Sequence, residues 1–233
     1  MGALETVARI VELAGAPDHA AHIAEMRALF EERTGAFAPE DAWFEERFRA
    51  FWCDAVTRAK FGRAVEGDLA PEERGWLQPL ERAHRGLFRA EGRLLVDVWS
   101  GAELAVTVVE DVSGAELEAS AGQLFDARVV ARVGATGGGA AAGSNTVAGA
   151  PLVAVLLPGA LFHPRDAAGA IDAVLAAGRA RALSTDHVLD ALMRMERALR
   201  SLSRVKAGYA YRAEALDLPA APAPVRKAAR GLP

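Results

Sequence analysis

The sequence predicts an α+β fold: an N-terminal helical subdomain, a small antiparallel β-barrel or twisted sheet, and a C-terminal helical pair. Three observations carry that expectation. Apolar residues recur at helical spacing through residues 1–86, period-2 alternation is confined to 87–163, and helical spacing returns over 164–212. Residues 213–233 read as a flexible tail. The connections are short, so the parts are expected to form one compact assembly.

The elements follow in order. Val7, Ile10, Val11 and Leu13 mark an amphipathic helix ending near Gly15 and Pro17. Asp18 stands where an N-cap belongs, ahead of Ile23, Met26, Leu29 and Phe30, and Gly35 supplies the stop. Pro39, Glu40 and Asp41 open a third helix, because proline tolerates the first turn and carboxylates suit the positive end of the helix dipole. Its apolar stripe is aromatic, with Phe44, Phe48, Phe51, Trp52 and Val56 on one side and Glu45, Glu46, Arg47, Arg49 and Asp54 away from it. Pro71, Glu72 and Glu73 start a fourth helix. Pro79 should end or kink it, and Gly86 reads as its stop.

Strand alternation starts weakly at Leu87 and becomes clear at Leu94, Val96 and Val98. It resumes at Leu104, Val106 and Val108 after Ser100-Gly101, which makes a hairpin. Leu124–Val133 and Leu152–Leu157 supply further strands. Residues 134–150 between them are Gly-rich and without periodicity, so they read as a disordered insertion. A phosphate-cradling loop would need a Lys and a Ser/Thr opening a helix there, and neither follows. Pro164-Arg165-Asp166 begins a helix with Ile171, Val174 and Leu175 on its apolar side. Ser184-Thr185-Asp186 caps the longest helix, where Val188, Leu192, Met195, Leu199 and Leu202 form a two-heptad seam suited to a partner helix.

The stretch from Leu69 to Glu110 resembles uncharacterised bacterial proteins in which a helix leads into a hairpin and a small β-barrel, often followed by a SEC-C type zinc tail. The matching residues are Leu69, Pro71, Glu72, Glu73, Arg74, Leu87, Phe88, Gly92, Leu95, Asp97, Gly101 and Glu103. The resemblance implies the helix-then-barrel architecture. It implies no zinc site here, because Cys53 is the sole cysteine.

Composition narrows the classes. The three lysines are Lys60, Lys206 and Lys227, and arginine supplies the other basic residues; with abundant Ala and Gly, this points to a GC-rich bacterial genome. A single cysteine excludes an internal disulfide. No apolar run reaches 18 residues and no basic region precedes the first apolar residues, so neither a membrane span nor a secretion signal is expected, and the cytoplasm is the default. The net charge of −4 is unevenly placed: residues 1–193 carry −10 and residues 194–233 carry +6.

Few residues ask for chemistry. His19, His22 and Glu25 share a helix face without converging, so no metal or cofactor is expected. Asp97, His163 and Asp166 are the candidates for an acid–base group, although no nucleophile elbow accompanies them. Arg197, Arg200 and Arg204 form a stripe opposite the apolar seam that could meet phosphates. The leading expectation is a non-catalytic interaction or adaptor protein binding another protein. The alternatives are a nucleic-acid or ribonucleoprotein-associated factor using the arginine stripe, and a hydrolase-like enzyme near Asp97 and His163.

Overall fold

Helices come first in the chain, then strands, then helices again, and the fold is α+β. The computed structural model describes residues 2–91, 94–108, 122–131, 152–202 and 205–219. The insertion 134–150, Gly92, Arg204 and the tail beyond 219 lie outside them. Helices α1 (Ala3–Ala14), α2 (Ala20–Thr34), α3 (Phe44–Thr57) and α4 (Pro71–Glu81) precede strands β1 (His84–Glu91), β2 (Leu94–Asp97), β3 (Glu103–Val108), β4 (Leu124–Ala131), β5 (Leu152–Leu156) and β6 (Leu161–Phe162). Helices α5 (Ala168–Ala180), α6 (Thr185–Ser201) and α7 (Ala207–Ala210) follow. Among the described residues no helix is long and apolar enough to cross a membrane.

Several boundaries differ from the expectation, each for a local reason. Asp18 lies inside a 3-10 turn, Pro17–His19, and α2 begins after His19 without a side-chain cap. The third helix starts at Phe44 rather than Pro39, because the Asp41 carboxylate accepts the Ala38 N–H at 2.8 Å and closes a turn first. Helix α4 runs past Pro79 to Glu81, and Gly86 stops nothing: it lies within β1 opposite Ala127. Residues 213–217 are not a loose tail but a 3-10 turn, Ala213–Asp217, that buries Ala215 and Leu216. Ser184 does cap α6, its hydroxyl accepting the His187 N–H at 3.2 Å.

Of the two forms expected, a small antiparallel barrel or a twisted sheet, the strands take the sheet, six-stranded and mixed, in the order β1-β2-β3-β5-β4-β6. The contact between β3 and β5 is parallel, and β1 also pairs antiparallel with β4, so the sheet curls strongly. Strand β4 is buried at seven of its eight positions, which makes it the strand that both layers share. On the inner side of the curl Phe88, Leu95, Leu104, Phe125 and Leu156 pack together. On the outer side Val130, Val155 and Leu161 join the core of α1, α3 and α4, while Leu87 and Leu124 join that of α5 and α6. The turn before β6 touches α3 closely. A Cβ at Gly159, whose φ is +93°, would stand 2.7 Å from the Arg49 and Ala50 backbone.

Where the two helical layers meet the outer face of β1 and β4, five ionised side chains are buried together with a sixth, Arg33, partly buried beside them. Arg85 and Arg128 are directly opposed across the β1–β4 pair, an arrangement that repels unless neutralised. Asp126 takes Arg85 in a two-pronged pair at 2.6 and 3.0 Å, and Asp190 of α6 takes its third nitrogen at 2.6 Å. Asp54 of α3 accepts from Arg128 at 2.5 Å and from Arg33 of α2 at 2.6 Å, and Arg33 returns to Asp190 at 3.1 Å. Three arginines thus meet three aspartates. Burial lowers the affinity of Arg85 for its proton, but Asp126 and Asp190 outweigh that and hold it well above the ordinary value. Burial likewise raises the Asp190 carboxyl, and Arg85 and Arg33 together bring it below its usual range.

Removing one partner leaves an uncompensated charge in the interior. Asp54→Ala is therefore expected to cost about 3–5 kcal/mol in urea unfolding, whereas Arg9→Ala at an exposed pair on α1 should leave the urea midpoint close to that of wild type. Equal losses for the two would show that the network contributes nothing particular. Gly159→Ala should also destabilise, by more than about 1 kcal/mol, because backbone rather than a side chain must give way.

Candidate functional site

The helical seam faces inward. Val188, Leu192 and Met195 are buried against Ile171, Val174 and Leu175 of α5, with Leu199 partly buried beside them. The seam is therefore occupied by the protein's own core, and a partner helix cannot use it. Only Leu202, at its end, is exposed.

The acid–base candidates are held apart in separate hydrogen-bond networks. Asp97 is buried and closes the β2–β3 turn, accepting the Trp99 N–H at 3.0 Å and the Ser100 hydroxyl at 2.5 Å, and it meets His84 Nε2 at 3.1 Å. His163 Nδ1 instead meets the Tyr211 hydroxyl at 2.9 Å, inside the core of α5 and α6. Asp166 is exposed in the 3-10 turn Arg165–Ala167, which has Pro164 as its cap. His19 and His22 set their rings edge-on to Phe61, and among the described residues no group of three metal-ligating side chains forms. Cys53 is buried, and burial pushes its thiol up to about 11, which keeps it from forming a thiolate at neutral pH.

The arginine stripe is largely spent within the fold. Arg200 pairs with Glu46 of α3 at 2.7 Å and with Glu196 on its own helix. Arg197 donates to the Ala36 carbonyl at 2.6 Å, and Arg204 lies outside the described residues. Arg47 and Arg194, which no functional pattern singled out, donate to the Thr34 and Arg33 carbonyls at 3.1 and 2.6 Å. The last carbonyls of a helix have no partner within it and carry its negative pole, so a collar of arginines is a physical answer to the end of α2. Gly35 makes the collar fit: its φ is +95°, and a Cβ would stand 2.7 Å from the Arg197 side chain. Arg47 is 0% exposed and also meets the buried Glu196 at 2.9 Å; burial pulls its guanidinium down and Glu196 opposes that.

Beside this collar lies the candidate site, a groove of about 370 Å³ between the end of α6, α7 and the 3-10 turn Ala213–Asp217. Leu202, Tyr209 and Leu218 line it, and they are three of the four large hydrophobic residues exposed among the described residues. Tyr209 is 74% exposed. Arg194, Arg197 and Arg212 share the lining with no carboxylate among it, and none of the three makes an ion pair among the described residues. Among the described residues Arg194 and Arg197 are bonded to neutral carbonyls, which leave their charge in place. The groove is apolar at its rim and cationic at its wall.

No family model, no curated protein and no solved structure matches the chain.

His163 sets a pH dependence for the whole C-terminal layer. Burial pushes it down to about 4, opposed by Asp126 and Glu196. An unfolded histidine titrates near 6.5, so between those values the unfolded chain binds a proton that the folded chain refuses. Stability is complete above the unfolded value and drains as pH falls through the window, by about 3 kcal/mol in all. His84 acts in the opposite sense: its bond to Asp97 raises it, so its contribution is present at low pH and is lost as pH rises. The urea midpoint is therefore expected to fall between pH 6.5 and 4.5, and His163→Phe should flatten that fall. An unchanged slope in the variant would refute the assignment.

Proposed function

We propose that this protein is a non-catalytic interaction protein, and that the groove beside α7 receives a short segment of a protein partner in which acidic residues flank apolar ones. The observation that carries this reading is the coincidence of Leu202, Tyr209 and Leu218 with three arginines that have no carboxylate partner among the described residues. Isolated exposed hydrophobics need no explanation, but a cluster with a charged wall matches the composition of binding surfaces. Tyrosine and arginine are the residues that most often dominate such contacts. An acidic–apolar segment complements both halves of the groove, whereas the phosphates of nucleic acid would meet the arginines and leave Leu202 and Leu218 without a counterpart. Arg200, the centre of the expected phosphate-binding stripe, is already neutralised by Glu46 and Glu196.

The test compares three versions of the full chain as bait in lysate of its own host, with and without nuclease. Tyr209→Ala/Arg212→Glu changes exposed groove residues, and Leu29→Ser changes an exposed leucine outside the groove. A protein that wild type and Leu29→Ser retain should be lost by Tyr209→Ala/Arg212→Glu, with an affinity loss of about thirtyfold or more. Equal retention by all three, or retention that nuclease abolishes, would overturn the reading.

A further inference from the structure

The other end of α6, roughly 25 Å from the groove along its axis, opens on a second cavity. It is a cleft of about 630 Å³ where the end of α3, the α4–β1 connection, β4 and the start of α6 converge. That volume lies in the range of small-molecule sites. Five arginine or lysine side chains line it against two carboxylates.

The distribution of partners among those charges decides what the cleft can hold. Arg85 and Arg128 form its floor and are neutralised from behind by Asp126, Asp190 and Asp54. Arg58 reaches Asp190 at 3.5 Å and Asp186 at 3.8 Å. Glu81 faces the cleft, but Arg63 engages it from outside. Lys60 and Arg82 add to the field that lowers the Glu81 carboxyl, yet both are exposed and neither makes an ion-pair contact among the described residues. The cleft therefore carries the positive charge of Lys60 and Arg82 above a rigid floor whose own arginines are neutralised. Lys60 also holds a left-handed backbone, with φ +59° and ψ +34°, which a β-carbon disfavours and which fixes where its side chain leaves the chain. Ser184 and Thr185 stand in the same wall; Thr57 lines it too, but its hydroxyl donates to the Cys53 carbonyl at 2.6 Å.

We propose that this cleft binds the phosphate group of a small metabolite, with Lys60 and Arg82 as its direct cationic contacts. Arginine forks and a lysine point charge suit the tetrahedral oxygens of a phosphate, and threonine and serine hydroxyls can donate to the oxygens they leave free. The cavity exceeds what phosphate alone fills, so the ligand carries a further polar or apolar body.

The experiment is isothermal titration of the full chain with inorganic pyrophosphate and, separately, adenosine 5′-diphosphate, at low and at moderate salt. At least one probe should bind, more weakly at the higher salt, and Lys60→Ala/Arg82→Ala should weaken it at least tenfold. Arg9→Ala, away from the cleft, should leave it unchanged. Both cleft positions are exposed and make no ion pair among the described residues, so the double variant should melt with wild type, and that melt is the check that a loss of binding is not a loss of fold. Absence of binding by both probes, equal affinity in the double variant, or preference for citrate over both phosphate probes would overturn the proposal. So would binding only to a single-stranded oligonucleotide.

Discussion

The architecture depends on the neutralisation of two arginines that the β1–β4 register forces to face each other. Arg85 and Arg128 cannot share the outer face of the sheet unless carboxylates reach them, and only one of the required aspartates, Asp126, is on the sheet itself. The others arrive on α3 and α6, and Arg33 of α2 links those two. Docking of both helical layers is thereby tied to one strand register. A slip of β4 by one residue would turn Asp126 and Arg128 to the inner face, among Phe88 and Phe125, and strand the remaining charges. A purely apolar junction would be at least as stable. What the ionic junction adds is that few alternative arrangements satisfy all six groups at once.

Helix α6 is where these demands meet. One side buries Val188, Leu192 and Met195, another presents Asp190 and Glu196 to buried arginines, and a third sends Arg194 and Arg197 to the end of α2. A helix engaged on three sides has little left for a partner along its length. Its two ends are different, because each meets a junction of other elements where packing leaves space. The N-terminal end opens on the polar cleft and the C-terminal end on the apolar groove. Function, on this reading, sits at the ends of the helix that holds the fold together.

The same arrangement accounts for the charge asymmetry of the chain. Much of the basic C-terminal segment serves the acidic and carbonyl-rich N-terminal one: Arg200 meets Glu46, and Arg194 and Arg197 meet the carbonyls at the end of α2. Pairing with carboxylates cancels charge, whereas pairing with carbonyls satisfies hydrogen bonds and leaves the charge in place. That distinction separates Arg200, which is spent, from Arg194 and Arg197, which still give the groove its sign.

The sequence by itself determined the fold class, the order of helices and strands, and the cap at Ser184, because each follows from local periodicity and turn chemistry. It also carried faint marks of the junction: Asp126 and Arg128 share one face of an otherwise apolar strand, and Arg47 and Asp54, seven residues apart, share one face of α3. Sequence pattern assigns such charges to solvent, and it did so for Arg47 and Asp54, because burial of a charge is permitted only by partners remote in the chain. The tertiary structure alone decided that those partners exist, that the apolar seam of α6 is core, that the choice between barrel and twisted sheet falls to a curled sheet with one parallel contact, and that Asp97 and His163 belong to different networks. The groove and the cleft were illegible for the same reason. Leu202, Tyr209 and Arg212, or Lys60 and Arg82, form no motif in sequence; they become sites only where separate elements leave space between them and no carboxylate closes it.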